Sequence, residues 1–211
     1  YVSLGAFSLT WLSMQFYKTE NTDLGLFVFF STLFAYNFMR LVRVHPMLLE
    51  GESNRHKSIF RLRILLWVIC ILSGLTSFYF FTVIYQPILP LLIAMAAISL
   101  AYALPVYKKG DEWLRLRDIP GVKIFLIATV WSLVTEGFPA LLSGNTITVL
   151  PLLERFLFIF AITIPFDIRD MRFDDHNLST IPQYFGVRKA RWIGVVALLF
   201  AELILAYRFF F

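Results

Sequence analysis

The chain has 211 residues, 59% of them hydrophobic and 23 of them Phe. Soluble domains are roughly 45–50% apolar, so this composition excludes an ordinary soluble fold and indicates a multi-pass integral membrane protein. The formal net charge of +5 is modest, and no nucleic-acid partner is expected. The single cysteine, Cys70, lies inside an apolar segment, which excludes a disulfide framework, and no zinc spacing is present. Cys70 reads as a packed helix residue. His45, His56 and His176 show no ligand spacing.

A membrane-spanning helix needs about 20 apolar residues. Seven such segments are read in chain order, over 1–17, 23–42, 62–84, 87–107, 122–143, 149–166 and 191–211. Tyr1 is not an initiator Met, and Phe209–Phe211 end inside an apolar stretch, so the chain is expected to be a fragment at both ends. No signal peptide is recognisable. Segment two closes on Asn37, Arg40 and Arg43, and segment four on Tyr102, Pro105, Lys108 and Lys109. Pro87, Pro90, Pro105, Pro139, Pro151 and Pro165 are placed near helix ends or in first turns, where a missing N–H is tolerated. Glu136-Gly137 and Pro139 predict a kink in segment five.

The loops after segments two, four and six are long and basic. They hold Arg55, Lys57 and Arg61, then Lys108, Lys109, Arg115 and Arg117, then Arg172, Arg188 and Lys189, among others. Lys18 and Arg155 are placed near the short opposite loops. The positive-inside rule then makes the long loops cytoplasmic, with Tyr1 near the cytoplasm. The expected fold is all-α, a single transmembrane domain over 1–211 with seven helices around a cavity open to the cytoplasmic side.

Segment six leads into Asp167, Asp170 and Asp174. Offsets of three and seven residues place these carboxylates on one helix face. Carboxylates beside lipid are costly and usually mark a site. Such a set suits Mg²⁺, which binds through few protein oxygens plus substrate phosphates. Nearby Lys and Arg would neutralise the remaining phosphate charge, and the Phe-rich interior would take a hydrocarbon tail or stabilise a carbocation. The combined pattern points to a lipid diphosphate. The competing possibility is a set of solvated surface ion pairs, Asp167 with Arg172 and Asp174 with Arg191.

These residues resemble the UbiA-type prenyltransferase superfamily. Its second aspartate-rich motif has the form DxxDxxxD followed by Thr-x-Pro and Gly; here the match is Asp167, Asp170, Asp174, Thr180-Ile181-Pro182 and Gly186. The segment-four ending Tyr102-Ala103-Leu104-Pro105 with Lys108 resembles the family's Tyr-x-x-Pro-basic signature, and Arg115 to Gly121 with Lys123 resembles the start of its fifth helix. The resemblance implies Mg²⁺-dependent transfer of a prenyl group from a polyprenyl diphosphate donor to a lipophilic acceptor. It implies Asp167, Asp170 and Asp174 with Asn37 as metal ligands, Tyr102 facing the reacting carbon, and Asn37, Arg40, Lys108 and Lys109 at the diphosphate. A bacterial inner membrane is the expected location, with membrane lipid around the chain.

Two departures stand out. In the family's first aspartate-rich motif only Asn37 matches, with Phe38 at the first Asp and Leu41 or Arg40 near the second. The family typically has nine spanning helices against the seven read here, and the last two are expected to be the part that is missing. A non-catalytic relative that binds a prenyl lipid or a membrane partner is therefore the alternative. A transporter, channel or receptor has less behind it, because Glu136 and Glu202 are the few candidate pathway charges. Of these, Glu136 reads as an interfacial or helix-packing residue, and Glu202 as pairing with a neighbouring helix or with a helix that the expected fragment lacks.

Overall fold

The computed structural model describes residues 1–47, 63–104, 107–109, 112–114, 116, 119, 121–171 and 180–210. Among these, the chain is helical apart from one small hairpin. In order come α1 (Val2–Phe16), α2 (Thr22–Met47), α3 (Arg63–Ala103), β1 (Tyr107–Lys109), β2 (Glu112–Leu114), α4 (Val122–Ser132), a π-helical turn (Leu133–Gly137), α5 (Phe138–Leu142), α6 (Val149–Asp170), α7 (Ile181–Phe185) and α8 (Val187–Phe210). The chain gathers into two compact units, Tyr1–Pro87 and Ile88–Phe211.

In the first unit, α1 buries Ser3, Ala6, Thr10 and Ser13 at steps of three and four residues, one helix face. The hydroxyls of Thr10 and Ser13 donate to the carbonyls of Ala6 and Leu9, at 2.8 and 3.2 Å, so the seam leaves neither unsatisfied. Gly25 of α2 is needed because a Cβ there would lie 2.8 Å from the Phe7 ring. Asn21 starts α2 by accepting the Leu24 N–H on Oδ1 at 2.9 Å, a side-chain N-cap. α2 meets α3 through aromatic pairs, Phe30 stacked on Phe80 and Phe27 tilted against Phe81. Cys70 is buried on α3, as expected of a packing residue.

In the second unit, α6 is central and packs on both α4 and α8. The buried residues of α8 are all small: Ala190, Gly194, Ala197 and Ala201, again at steps of four, three and four. Small residues let helix backbones approach without side-chain interlock, a common seam between membrane helices. Gly194 shows the closeness, since a Cβ there would meet Ile164 Cδ1 at 3.4 Å and the Ala161 carbonyl at 3.7 Å. Pro165 lies inside α6 and has no N–H for that Ala161 carbonyl. α7 is a short connector. The Thr180 N–H donates to Gln183 Oε1 at 2.8 Å at its start, and Gly186, with φ of 82°, ends it. Only glycine adopts that backbone without strain, so the Thr-x-Pro and Gly signature acts locally as a cap, a first-turn proline and a corner.

Five helices are long and apolar enough to cross a membrane: Thr22–Leu41, Ile64–Ile98, Val122–Leu142, Val149–Asp170 and Val187–Phe210. These five cover six of the seven segments read from the sequence. α1, with 15 residues, falls short of the span length. Segments three and four are one helix of 41 residues. Pro87 and Pro90 lie in its interior rather than at an end, and Pro165 likewise lies within α6. The stretch Val83–Leu92 holds no Gly, Asn, Asp or Ser, so only the prolines oppose continuation of the helix there. A hairpin, with Lys108 paired to Trp113, occupies part of the long basic loop after segment four.

The small seam predicts a sharp contrast. Ala201→Leu overpacks α6 against α8 and lowers stability by about 1–3 kcal/mol, whereas Leu199→Ala, on the exposed side of α8, changes it by less than about 0.5 kcal/mol. Thermal unfolding of the detergent-solubilised chain measures both.

Candidate functional site

α6 continues past the apolar run to Asp170, so Asp167 and Asp170 belong to its last turn. Asp167 is only 3% exposed. Its Oδ1 accepts from Lys123 Nζ at 3.1 Å, and Lys123 is half-buried in the first turn of α4. Asp167 is therefore buried rather than solvated, while Arg172, the partner named in the surface ion-pair alternative, lies outside the described residues. The cation that holds Asp167 comes from another helix, 44 residues away in the chain. Asp170 is more exposed and accepts from Arg169 Nε at 2.8 Å, while the Arg169 guanidinium covers the Phe166 ring at 5.4 Å. Asp174 lies outside the described residues. Among the described residues, no group of three or more His, Cys, Asp or Glu is close enough to share a metal ion.

Beneath Asp167, on the same flank of α6, stand Phe156 and Phe160. Steps of four and seven residues keep both in line with Asp167. With Phe125 of α4 they form an aromatic group whose centroids lie 5.5, 6.1 and 6.4 Å apart. Phe125 is half-exposed. The α4–α6 pair thus presents a carboxylate–ammonium head over a run of ring faces. Gly121, with φ of 75°, directly precedes α4 and lets the chain turn into the helix that carries Lys123.

The other expected site residues are distributed as follows. Tyr102 lies in the last turn of α3, and Lys108 and Lys109 on β1, with Lys108 exposed. Asn37 and Arg40 belong to the first unit. Asn37 is buried and donates its amide N–H to the Leu33 carbonyl at 2.8 Å, so part of its hydrogen-bonding capacity is spent within α2. Arg40 is exposed.

A second polar cluster lies at the opposite end of α6 and was not legible as a unit. Arg155, expected near a short loop, is fully buried. Its Nη2 is 3.4 Å from Glu136 Oε2 and its Nε 3.8 Å from Glu154 Oε1. Arg208, in the last turn of α8, reaches Glu136 Oε1 at 2.7 Å and Glu154 Oε2 at 3.1 Å. Each carboxylate thus meets both guanidiniums, and the four charges cancel. Glu136 sits on a π-helical turn at the place where the kink is expected, in a stretch buried from Thr135 to Ala140. Gly137 is required there, since a Cβ would press on Leu91 at 3.0 Å. The packing role expected of Glu136 fits this arrangement, whereas Glu202 is exposed on α8. The available signal was the sign balance: two acids and two arginines inside apolar runs, where charges pair with one another.

No protein-family model, curated protein or solved structure matches this chain. The assignment of roles therefore rests on residue chemistry. For the buried quartet that chemistry is specific. Arg208→Met leaves two buried carboxylates sharing one guanidinium and costs about 3–5 kcal/mol. Removing one acid as well, in Arg208→Met with Glu154→Leu, restores the charge balance and recovers more than half of that loss in the same unfolding assay.

Proposed function

We propose that this membrane protein is a prenyltransferase-like enzyme that ionises a polyprenyl diphosphate at the Asp167 end of α6 and passes the prenyl group to a lipophilic acceptor. The observation that carries this reading is a buried carboxylate, Asp167, held by Lys123 on the flank of α6 that carries, about two to three turns further along, the rings of Phe160 and Phe156 packed on Phe125. Carboxylate, cation and aromatic face are the groups that a charged head, a leaving diphosphate and an allylic cation require. The family resemblance agrees with it, and so does an all-helical chain with five apolar spans. The full reading counts seven spans, which takes the 41-residue α3 as two and α1, extended by Tyr1 and Tyr17, as one more. It places the Asp167 end at the cytoplasmic face of a bacterial inner membrane.

The oxygen-only donors Asp167 and Asp170 fit Mg²⁺, which takes one or two carboxylates plus phosphate oxygens. Asp174 is the third ligand that the resemblance implies. When bound, the ion would offset charge developing on the diphosphate oxygens. Breaking the allylic C–O bond sends its electron pair to the diphosphate and leaves a cation on the prenyl carbon. The acceptor captures that carbon and loses a proton. Lys123 fixes the Asp167 carboxylate, and Lys108 and Lys109 supply further positive charge for the diphosphate. The ring faces of Phe125 and Phe160 exclude water and stabilise the cation. Tyr102, Asn37 and Arg40 enter through the resemblance alone.

A second reading, a non-catalytic relative that binds a prenyl lipid or a membrane partner, is favoured by one observation. From Asn37 to Met47, α2 offers no carboxylate at all, so the family's first aspartate-rich motif has no acidic counterpart there.

Turnover separates the two. With Mg²⁺ and an allylic prenyl diphosphate, the purified chain should release pyrophosphate, and Asp167→Asn should lower the rate by at least about 10²-fold, the scale of losing one electrostatic stabiliser. Binding without release would support the non-catalytic relative. Undiminished release by the variant would remove Asp167 from the mechanism.

A further inference from the structure

α8 begins at Val187, and three basic residues, Arg188, Lys189 and Arg191, lie within its first five positions. Arg188 and Arg191 are exposed, and among the described residues neither forms an ion pair with a carboxylate. Two grooves flank Arg191. One runs between α6 and α8 past Ile162, Pro165, Gly194 and Leu198, with a volume of about 540 Å³. The other, about 570 Å³, follows α8 itself past Val187, Trp192 and Val195. Arg191 and Val195 line both. The missing side chain of Gly194 helps to open the first groove, and its walls are almost wholly apolar.

The depth of these grooves in the membrane follows from their neighbours. Val187–Phe210 is itself one of the apolar spans, so its first turn lies at a membrane surface. Exposed Tyr184, Phe185 and Trp192 surround that turn, and exposed aromatic residues with a polar edge collect at the headgroup level. Exposed cations at headgroup depth, over two apolar channels and without a carboxylate partner among the described residues, match one ligand shape: a single anionic head carrying two hydrocarbon chains.

We propose that the α6–α8 face is a binding site for an anionic diacyl phospholipid of the surrounding bilayer. Arg188 and Arg191 take the phosphate. One acyl chain follows the Pro165–Leu198 groove, the other the Trp192–Val195 groove. From Arg191 to Leu198 the channel extends for about 10 Å, at 1.5 Å per residue, which places the upper part of an acyl chain against protein. Basic pockets beside membrane helices recognise acidic lipid heads in this way. Asp167 is buried and lines neither groove, so the lipid site is independent of the proposed catalytic end.

Native mass spectrometry of the full detergent-purified chain tests it, with phosphatidylglycerol and phosphatidylcholine of identical acyl chains as probes. The expected result is saturable one-to-one binding of phosphatidylglycerol, tighter than phosphatidylcholine on the order of tenfold. In the Arg188→Gln and Arg191→Gln double variant that preference should vanish. Val195→Trp, which fills both grooves and keeps the charges, should weaken both lipids together. Equal binding of the two lipids by the unaltered chain would overturn the proposal. So would an unchanged preference in the double variant, or displacement of phosphatidylglycerol by millimolar inorganic phosphate, which would indicate a soluble-anion site. A stable dimer that excludes lipid and breaks in Val195→Trp would assign the face to a second copy of the chain instead.

Discussion

A charge inside an apolar helix bundle has to be answered by an opposite charge from another helix. That constraint organises the second unit of this chain. α6 carries buried acids near both ends, and each end is met by cations that neighbouring helices bring in. At its start, Glu154 and Arg155 join Glu136 and Arg208 in a closed ring of two acids and two arginines. At its end, Asp167 meets Lys123. Desolvated charges hold helices in a single register because any slip leaves one of them unanswered. The apolar seams, built from small residues on α8 and ring faces on α4, then pack in the register that the charges set.

The two ends differ in what they leave over. The quartet is balanced in charge and enclosed: every acid pairs with both guanidiniums, and Arg155 has no exposure at all. Such a cluster serves cohesion. The other end is open. Lys123 keeps 38% of its side chain exposed, Asp170 stands one turn beyond Asp167, and Phe125 shows a free face. Polar groups that are positioned but incompletely enclosed can accept a ligand without first breaking protein contacts. The contrast lies within one helix, about 20 Å along its axis from Glu154 to Asp167 at 1.5 Å per residue.

Much of this was legible in the sequence, and the physical reasons are specific. The apolar run from Phe156 to Phe166 and the aspartates after it share one period, so their common face could be read before any contact was known. Thr180, Pro182 and Gly186 are a capping residue, a first-turn proline and a corner glycine, each identifiable from local chemistry. The continuity of α3 was not legible, because Pro87 and Pro90 usually break a helix and nothing local records that this one runs on through them. The quartet was hidden for another reason. Glu136 and Arg208 are 72 residues apart, and sequence spacing carries no trace of which helices become neighbours. Arg155 looked like a loop residue only because it stands near the start of its segment.

The α6–α8 face extends the same logic outward. Where the described residues supply no counter-ion, as beside Arg188 and Arg191, the bilayer itself can supply one. The chain would then balance its charges in three ways along two helices: internally in the quartet, across helices at Asp167, and against lipid at Arg191.

The central claim is that the Asp167 end holds a diphosphate. Calorimetric titration of the purified chain with a non-hydrolysable prenyl diphosphate analogue, with and without Mg²⁺, tests it most directly. Saturable binding that depends on Mg²⁺, is lost in Asp167→Ala and persists in the charge-balanced Arg208→Met, Glu154→Leu variant is the predicted result. Binding that ignores Mg²⁺ and survives Asp167→Ala would contradict it.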